Sequence, residues 1–471
     1  MGKRKEKVMY TLIKNADWII TMDENRTRVS HGDLIIDSKE ILEIGRNLGE
    51  KYPDAEILDA AGKIVIPGFV NVHHHTWQSL VRNIHVADGL KLEPWLKVVY
   101  EIFKEINTDV AKAGAYAGLG ELLKTGCTTS NDLFYAHPAG VEKLIDAEIE
   151  AASEIGIRFH PNRGTHSKAS EIVPPELVGT TEQVMADAER LILKYHDPER
   201  FSMCRVGIAP NMPQYETMDM LMESKKLAEK YHVLIHGHLA ESTYETQYTL
   251  DTYGCTPARW FEKHGLLGEN FYYAHCVHLD DEEVKLLAET GTGVSHCPIS
   301  NMFLSSGVCR IPDLMAAGAK IGLGVDGAAS SNSSNMLQEI RSAYLVNRLA
   351  WGDKAVSAED ILYLATAGGA RVLGRDDIGF LAPGMAADLA IMDWNQLQYS
   401  GGKNDPVDCI VLSGESRLTD TVIVNGEIVV KHGKLTKADE NQKKDFVNDV
   451  GKAMLKRASK HMEGLERDLE I

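Results

Sequence analysis

Along the middle of the chain, eight short apolar runs of about six residues alternate with stretches of helical periodicity, a rhythm that few folds can accommodate. The runs cover residues 68–75, 128–134, 158–164, 203–210, 234–241, 271–279, 293–298 and 320–328. Helical patterns lie between them, for example at 108–124, 182–194, 218–231, 280–289 and 335–349. Strands separated by helices form βαβ units and a parallel sheet. Eight such units over about 300 residues predict an α/β chain folded as a (β/α)₈ barrel with insertions. An open doubly wound sheet is the other arrangement these units build, but it rarely uses eight strands so regularly.

The chain, at 471 residues, is longer than one ordinary domain, and its ends have a different texture. Residues 10–21, 33–45 and 55–59 read as short strands, as do 387–393, 407–412 and 421–430, with Asn425-Gly426 as a hairpin turn. The expected organisation is a small β-sandwich in two parts, 1–66 and 381–436, interrupted by a barrel at 67–380. Residues 437–471 form a charged helical tail on the surface or at a subunit contact, in a chain expected to form a homo-oligomer, a dimer.

A formal charge of −18 excludes nucleic acid and anionic membrane as partners, since both need a basic surface. No apolar run approaches the roughly 20 residues that cross a bilayer. The basic start, residues 1–7, reads as a solvated end. Seven scattered cysteines and no secretion signal point to reduced thiols in the cytoplasm.

Barrel enzymes carry their reacting groups at the C-terminal ends of the strands, and here those ends are rich in them. His73 and His75 share one strand face, whereas His74 points the other way and is expected to be packed. The fifth run ends in His236, His238 and Glu241, the sixth in His275 and His278, and the eighth in Asp326. His73, His75 and His238 would give imidazole nitrogens to one divalent ion, with Asp326 as a carboxylate on the metal or on its water. Zinc is the first expectation, and iron or manganese also suit such a set. An ion held this way brings the pKa of bound water toward neutrality. Glu241 could carry a proton from that water to a substrate, with Asp326 as the base and His275 touching the attacking water or the leaving side.

Other residues divide between bland and functional readings. His236 faces the metal side and is either a support or structural, His278 supports the rim, and His296 is a weaker candidate for substrate contact. Cys276 and Cys297 read as small barrel-filling residues, and Gly322-Leu323-Gly324 lacks the spacing of a phosphate cradle. Gln78 and Arg163 are candidate readers of an amide-like ring edge, or else cap loops. Trp77 and Trp95 could stack on a flat ring, with packing as the default.

The sequences Pro67-Gly68-Phe69-Val70-Asn71-Val72-His73-His74-His75, His236-Gly237-His238-Leu239-Ala240-Glu241, Ala274-His275-Cys276-Val277-His278 and Gly324-Val325-Asp326-Gly327-Ala328 together resemble the amidohydrolase superfamily. Within it, the chain is most similar to the 8-oxoguanine deaminase, isoxanthopterin deaminase and hydroxytriazine aminohydrolase group. Shared features include Gln78-Ser79-Leu80, Trp95-Leu96 and Arg158-Phe159-His160-Pro161. The resemblance implies metal-dependent hydrolytic deamination of an aromatic nitrogen heterocycle, 8-oxoguanine or a related oxopurine or pterin, with release of ammonia. Its alternatives are an S-adenosylhomocysteine or adenosine-type deaminase and a triazine amino- or chlorohydrolase. Binuclear members carry a bridging lysine on strand four, and residues 204–210 contain none, which implies a single ion. Thr165-His166-Ser167 and Asn131-Asp132-Leu133-Phe134-Tyr135 depart from the group's pattern, which bears on the ring bound rather than on the reaction.

Overall fold

A computed structural model describes residues 10–465, so the basic start at 1–7 and residues 466–471 of the tail lie outside the described residues. Eight parallel strands close into a barrel: β1 (Phe69–Asn71), β2 (Cys127–Phe134), β3 (Arg158–Thr165), β4 (Gly207–Pro210), β5 (Ile235–Leu239), β6 (Phe271–His275), β7 (Gly293–His296) and β8 (Lys320–Leu323). The seam joins the first strand to the last, with Leu323 opposite Asn71. Every residue of β2 and β3 is buried, as expected of strands covered on both faces. Helices between the strands begin at well-formed caps. Asn107 accepts from Val110 N ahead of Thr108–Lys124, and capping boxes at Thr180/Gln183 and Asp280/Glu283 open Thr181–Tyr195 and Asp281–Thr290.

The apolar run through residues 64–72 divides at Pro67-Gly68. Lys63–Pro67 pairs antiparallel with Leu389–Asp393 outside the barrel, and the chain then enters β1. A Cβ at Gly68 would lie 2.1 Å from Thr128 Cγ2, so only glycine permits this crossing. Beyond the rim, the outer strands meet again: His74–His75 pairs in parallel with Asp326–Gly327, and Asp326 N donates to His73 O at 3.1 Å.

The flanking segments join in one nine-stranded sheet, ordered from Lys434–Leu435 through Leu389–Asp393, Lys63–Pro67 and Tyr10–Ile20 to Glu40–Gly45. Ile13, Ile19, Leu34, Ile36, Val65, Leu389, Ile391 and Ile423 form a core belonging to this unit. The alternate residues Ile64, Ile66, Ala390, Met392, Val422 and Val424 pack in the main barrel cluster. Asn425 (φ 53°) and Gly426 (φ 83°) make a two-residue turn between Thr419–Val424 and Glu427–Lys431, both in the left-handed region that a type I′ hairpin needs.

One expected strand is a helix. Residues 407–412 lie in Pro406–Ser413, because Asp405 accepts from Val407 N and Asp408 N and Pro406 occupies the first turn. The tail helix Glu440–Ala458 lies against Thr108–Lys124, tied by Lys443 Nζ donating to Tyr116 Oη (2.8 Å) and by Lys124–Glu440 (3.0 Å), and Lys443 also pairs with Glu154 of Leu144–Ile155 (2.6 Å). Its Met454 and Ala458 enter the apolar cluster that contains Leu96 and Tyr100.

Candidate active site

Hydrogen bonds at the far side of each imidazole decide what its near side can do. His75 Nδ1 is 2.7 Å from Leu133 O, and a carbonyl only accepts, so the proton sits on Nδ1 and Nε2 is bare. His236 Nδ1 donates to Tyr272 O at 3.0 Å. Its Nε2 therefore accepts from His73 Nδ1 at 2.7 Å, leaving His73 Nε2 bare as well. His238 Nδ1 donates to Asn211 Oδ1 at 2.6 Å, which bares His238 Nε2.

These bare nitrogens converge. His238 Nε2 is 3.3 Å from His75 Nε2, and both His73 Nε2 and His75 Nε2 are 3.3 Å from Asp326 Oδ1. His73 Nε2 is buried and has no hydrogen-bond partner. Lone pairs gathered around a carboxylate without intervening protons repel unless a cation lies among them. A spacing of 3.3 Å also suits neighbouring ligand atoms held at about 2.1 Å from one ion. The residues present fit a divalent metal, and the imidazoles' outer hydrogen bonds orient them for it.

Asp326, Glu241 and His275 face the same centre. Burial pushes the Asp326 carboxyl up, but the imidazoles of His73, His75 and His275 gathered around it outweigh this and hold the group well below the ordinary carboxylate value. The Glu241 carboxyl goes the other way: burial, then the negative charges of Asp326, Glu245 and Glu93, raise it well above that value. Burial lowers the His275 imidazole to about 4, so it is neutral, and its Nδ1 lies 2.9 Å from Asn301 Oδ1. His275 Nε2 stands 3.6 Å from Glu241 Oε2 and 4.0 Å from Asp326 Oδ2. His275 and Asp326 both adopt positive φ (73° and 58°), a conformation that costs an L-residue about 1–2 kcal/mol and aims each side chain as the chain leaves its strand.

Above this centre, a cleft with about 370 Å³ of empty volume is walled by Leu92, Trp95, Leu96, Tyr100, Tyr135 and Tyr215. Gln78 joins the wall from the short helix Thr76–Leu80. Its amide nitrogen donates to Tyr135 Oη at 3.1 Å, and its Oε1 is buried without a partner. Gly327 makes room for it, because a Cβ there would stand 1.8 Å from Gln78 Oε1.

Residues 64–429 match the amidohydrolase family. The chain belongs to that family. This amidohydrolase is 38% identical over 412 residues to 8-oxoguanine deaminase of Pseudomonas aeruginosa, covering 87% of this chain and 91% of the relative. It is 33% identical over 447 residues to hydroxydechloroatrazine ethylaminohydrolase of Pseudomonas sp. strain ADP, covering 91% and 92%. The crystal structure of atrazine chlorohydrolase from Arthrobacter aurescens TC1 complexed with zinc has a TM-score of 0.89 at 28% identity, covering 94% of this chain and 100% of that one. The protein is a hydrolytic enzyme acting on C–N bonds, and its ligand set is that of a divalent-metal site.

In this amidohydrolase, His73, His75, His238, His275, Glu241 and Asp326 come together, and Gln78 lines the cleft they close. Arg163, expected to read the substrate, lies elsewhere. Its Nε donates to Asp187 Oδ2 at 2.8 Å, and its side chain lines a separate cavity with His137, Gln183 and Arg190. It points toward the helix layer, where Asp187 of Thr181–Tyr195 neutralises it. His74 bonds Ser334 Oγ at 3.0 Å, and Trp77 is fully buried against Phe103 and Phe134. Tyr135, which entered only as the end of the departing segment 131–135, Asn211 and Tyr100 were not named as site candidates from the sequence. The first two directly follow the ends of β2 and β4, so the strand-end rule applied to every strand would have found them. Tyr100 sits on a helix and carries no such signal.

Among the described residues, no helix is long and apolar enough to cross a membrane, and all seven cysteines are unpaired. Burial raises the Cys276 and Cys297 thiols well above their ordinary value.

Proposed function

We propose that this amidohydrolase deaminates a bare oxygenated heterocycle, 8-oxoguanine or a closely related oxopurine or pterin, and releases ammonia. One observation carries the reading: two buried carboxyl groups pushed in opposite directions, Glu241 upward and Asp326 downward, line the same cleft, with His275 Nε2 3.6 Å from one and 4.0 Å from the other. Hydrolysis of an amidine-type C–N bond needs that pair, a proton donor for the ring nitrogen and an acceptor for the proton of water. The 38% identity to 8-oxoguanine deaminase and the flat, aromatic walls of the cleft support the ring class.

His73, His75, His238 and Asp326 would hold the ion, which we take to be zinc and which, when bound, lowers the pKa of water at the site. The protein's own groups move the protons. Asp326 takes one from water as the water oxygen bonds to the amino-bearing carbon, and Glu241 gives its proton to the adjacent ring nitrogen. The neutral His275, fixed through Asn301, offers Nε2 as an acceptor that steadies the approaching O–H. The amino nitrogen then takes the proton from Asp326, the C–N bond breaks, and ammonia leaves. The hydroxyl left on carbon returns its proton to Glu241 and becomes the oxo group. Gln78 Oε1 is placed to accept an N–H of the ring edge.

The test is ammonia release by the zinc-loaded protein across a panel of oxopurines, pterins, adenosine-type nucleosides and amino- or chlorotriazines. Turnover of an oxopurine or pterin is expected. Turnover confined to nucleosides, or to loss of chloride or alkylamine from triazines, would replace this reading.

A further inference from the structure

We propose that Tyr100 recognises an exocyclic oxo group of the substrate, its hydroxyl aimed as a donor by a hydrogen-bond chain that runs back to His238. The proposal rests on the deaminase reading above and names a residue that selects the ring.

The chain has three links: His238 Nδ1 to Asn211 Oδ1 at 2.6 Å, Asn211 Nδ2 to His166 Nδ1 at 3.3 Å, and His166 Nε2 to Tyr100 Oη at 3.1 Å. It can run in two directions. In one, Tyr100 donates to His166, His166 Nδ1 donates to a rotated Asn211 amide, and the amide nitrogen donates to His238 Nδ1. That order puts the His238 proton on Nε2, in the middle of the ligand cluster. In the other, His238 donates outward to Asn211, the amide nitrogen donates to His166 Nδ1, and the one proton of neutral His166 lies on Nε2 and is donated to the tyrosine oxygen. Only the second order leaves His238 Nε2 bare to hold a cation.

In that order the Tyr100 oxygen accepts from within the protein and its own hydrogen remains unused. No described residue accepts it: the bond to His166 is the only one Tyr100 Oη makes. Yet Tyr100 is 1% exposed and lines the cleft beside Tyr135 and Glu241. A buried hydroxyl hydrogen without an acceptor is costly, and a ligand oxygen in the cleft satisfies it. Burial, with the negative charges of Tyr135, Glu241 and Glu216, keeps the phenol well above its ordinary pKa, so it remains a donor. His166 has no freedom to turn away. It is fully buried, with its ring 5.4 Å from Tyr100, 5.2 Å from Tyr135 and 5.6 Å from Tyr215. With Gln78 Oε1 as acceptor and Tyr100 as donor, the cleft offers the complement of a cyclic amide, N–H and C=O. His166 and Asn211 are positioning residues, and Tyr100 touches the ring.

Equilibrium binding of urate, xanthine and hypoxanthine to the zinc-loaded protein tests this, because the three rings differ by one oxo group each. The unsubstituted protein is expected to hold one oxo-bearing ring at least about tenfold more tightly than the analogue lacking that group. Tyr100→Phe should abolish this preference, weakening the preferred ring about 10- to 100-fold and the other less than threefold, with zinc content unchanged. His166→Phe should lose most of the preference, and His166→Gln, which keeps an acceptor and a donor, should restore part of it. Retained preference in both Tyr100→Phe and His166→Phe would overturn the proposal alone, as would an affinity of Tyr100→Phe within twofold of the unsubstituted protein's for all three rings. An unsubstituted protein that binds none of the three would overturn the oxopurine reading and this inference with it.

Discussion

Replacing His236 by phenylalanine gives the most direct measure of how the imidazole cluster is built. The His236 ring stacks on Tyr272 with centroids 4.0 Å apart and planes within 8°, an arrangement phenylalanine can keep. What it cannot keep is the acceptor for His73 Nδ1, now 2.7 Å away. His73 is fully buried, so its N–H has no water to turn to. Either that donor stays unpaired, at about 1–3 kcal/mol, or the proton moves to Nε2 and blocks the nitrogen meant for the metal. The first route lowers the stability of the fold, and the second is set against metal binding, because the ion needs the proton back on the unpaired Nδ1, about 5- to 150-fold in Kd at 1.4 kcal/mol per tenfold. Losses of 10- to 100-fold on removing such outer partners are the general experience. The assay is competition for zinc between the metal-free protein and a chromogenic chelator, with thermal unfolding of the metal-free form as a control on folding. A zinc affinity within twofold of the unsubstituted protein's, at equal thermal stability, would refute the assignment of tautomers from Tyr272 O through His236 to His73.

Glu241→Gln should reduce ammonia release about 10²- to 10⁴-fold while product binding changes only a few-fold, because glutamine keeps the shape of the protonated acid but cannot pass its proton on; steady-state kinetics beside equilibrium binding checks this. Gly327→Ala should raise KM about tenfold or more with zinc content unchanged, since the added Cβ would fall 1.8 Å from Gln78 Oε1 and displace it. Acid stability should report Asp377. Burial raises its carboxyl, but the Arg375 fork, with bonds of 2.7 and 2.8 Å, outweighs this and brings it down to about 2. A depressed folded-state value means that the stabilisation is complete above the ordinary value of 3.8 and is lost as pH falls through about 2, up to about 2 kcal/mol in all. Asp377→Asn should remove that pH-dependent component and destabilise the protein at neutral pH by about 3 kcal/mol, as Arg375 is left buried without its partner; denaturant unfolding from pH 7 to 2 measures both.

The alternation of strands and helices was legible because each barrel strand is a short apolar run and each helix opens on a polar cap such as Thr180 or Asp280. The ligand cluster was legible because a two-residue period puts His73 and His75 on one side, and because imidazoles at strand ends have few structural uses. Arg163 was misread for a related reason. Every residue of Arg158–Thr165 is buried, so nothing in the polarity of β3 tells its barrel side from its helix side. Residues 407–412 satisfy the pattern of a strand as well as that of a buried helix, and the deciding signal was the Asp405-Pro406 start just before them. Tyr100 lay beyond reach, because it comes to the cleft through the packing of the helix Leu92–Phe103 rather than through any local pattern, whereas Trp95 on the same helix could be named as a stacking candidate from its residue type alone.

The short ladder between His74–His75 and Asp326–Gly327 ties a chain-early segment to a chain-late one, more than 200 residues apart. During synthesis, three of the imidazoles emerge well before the aspartate, and they gain it only when the final strand docks beside the first. Metal capture by the complete set is thereby reserved for polypeptides that have finished closing, and a truncated or half-folded product lacks the carboxylate needed to compete for the ion.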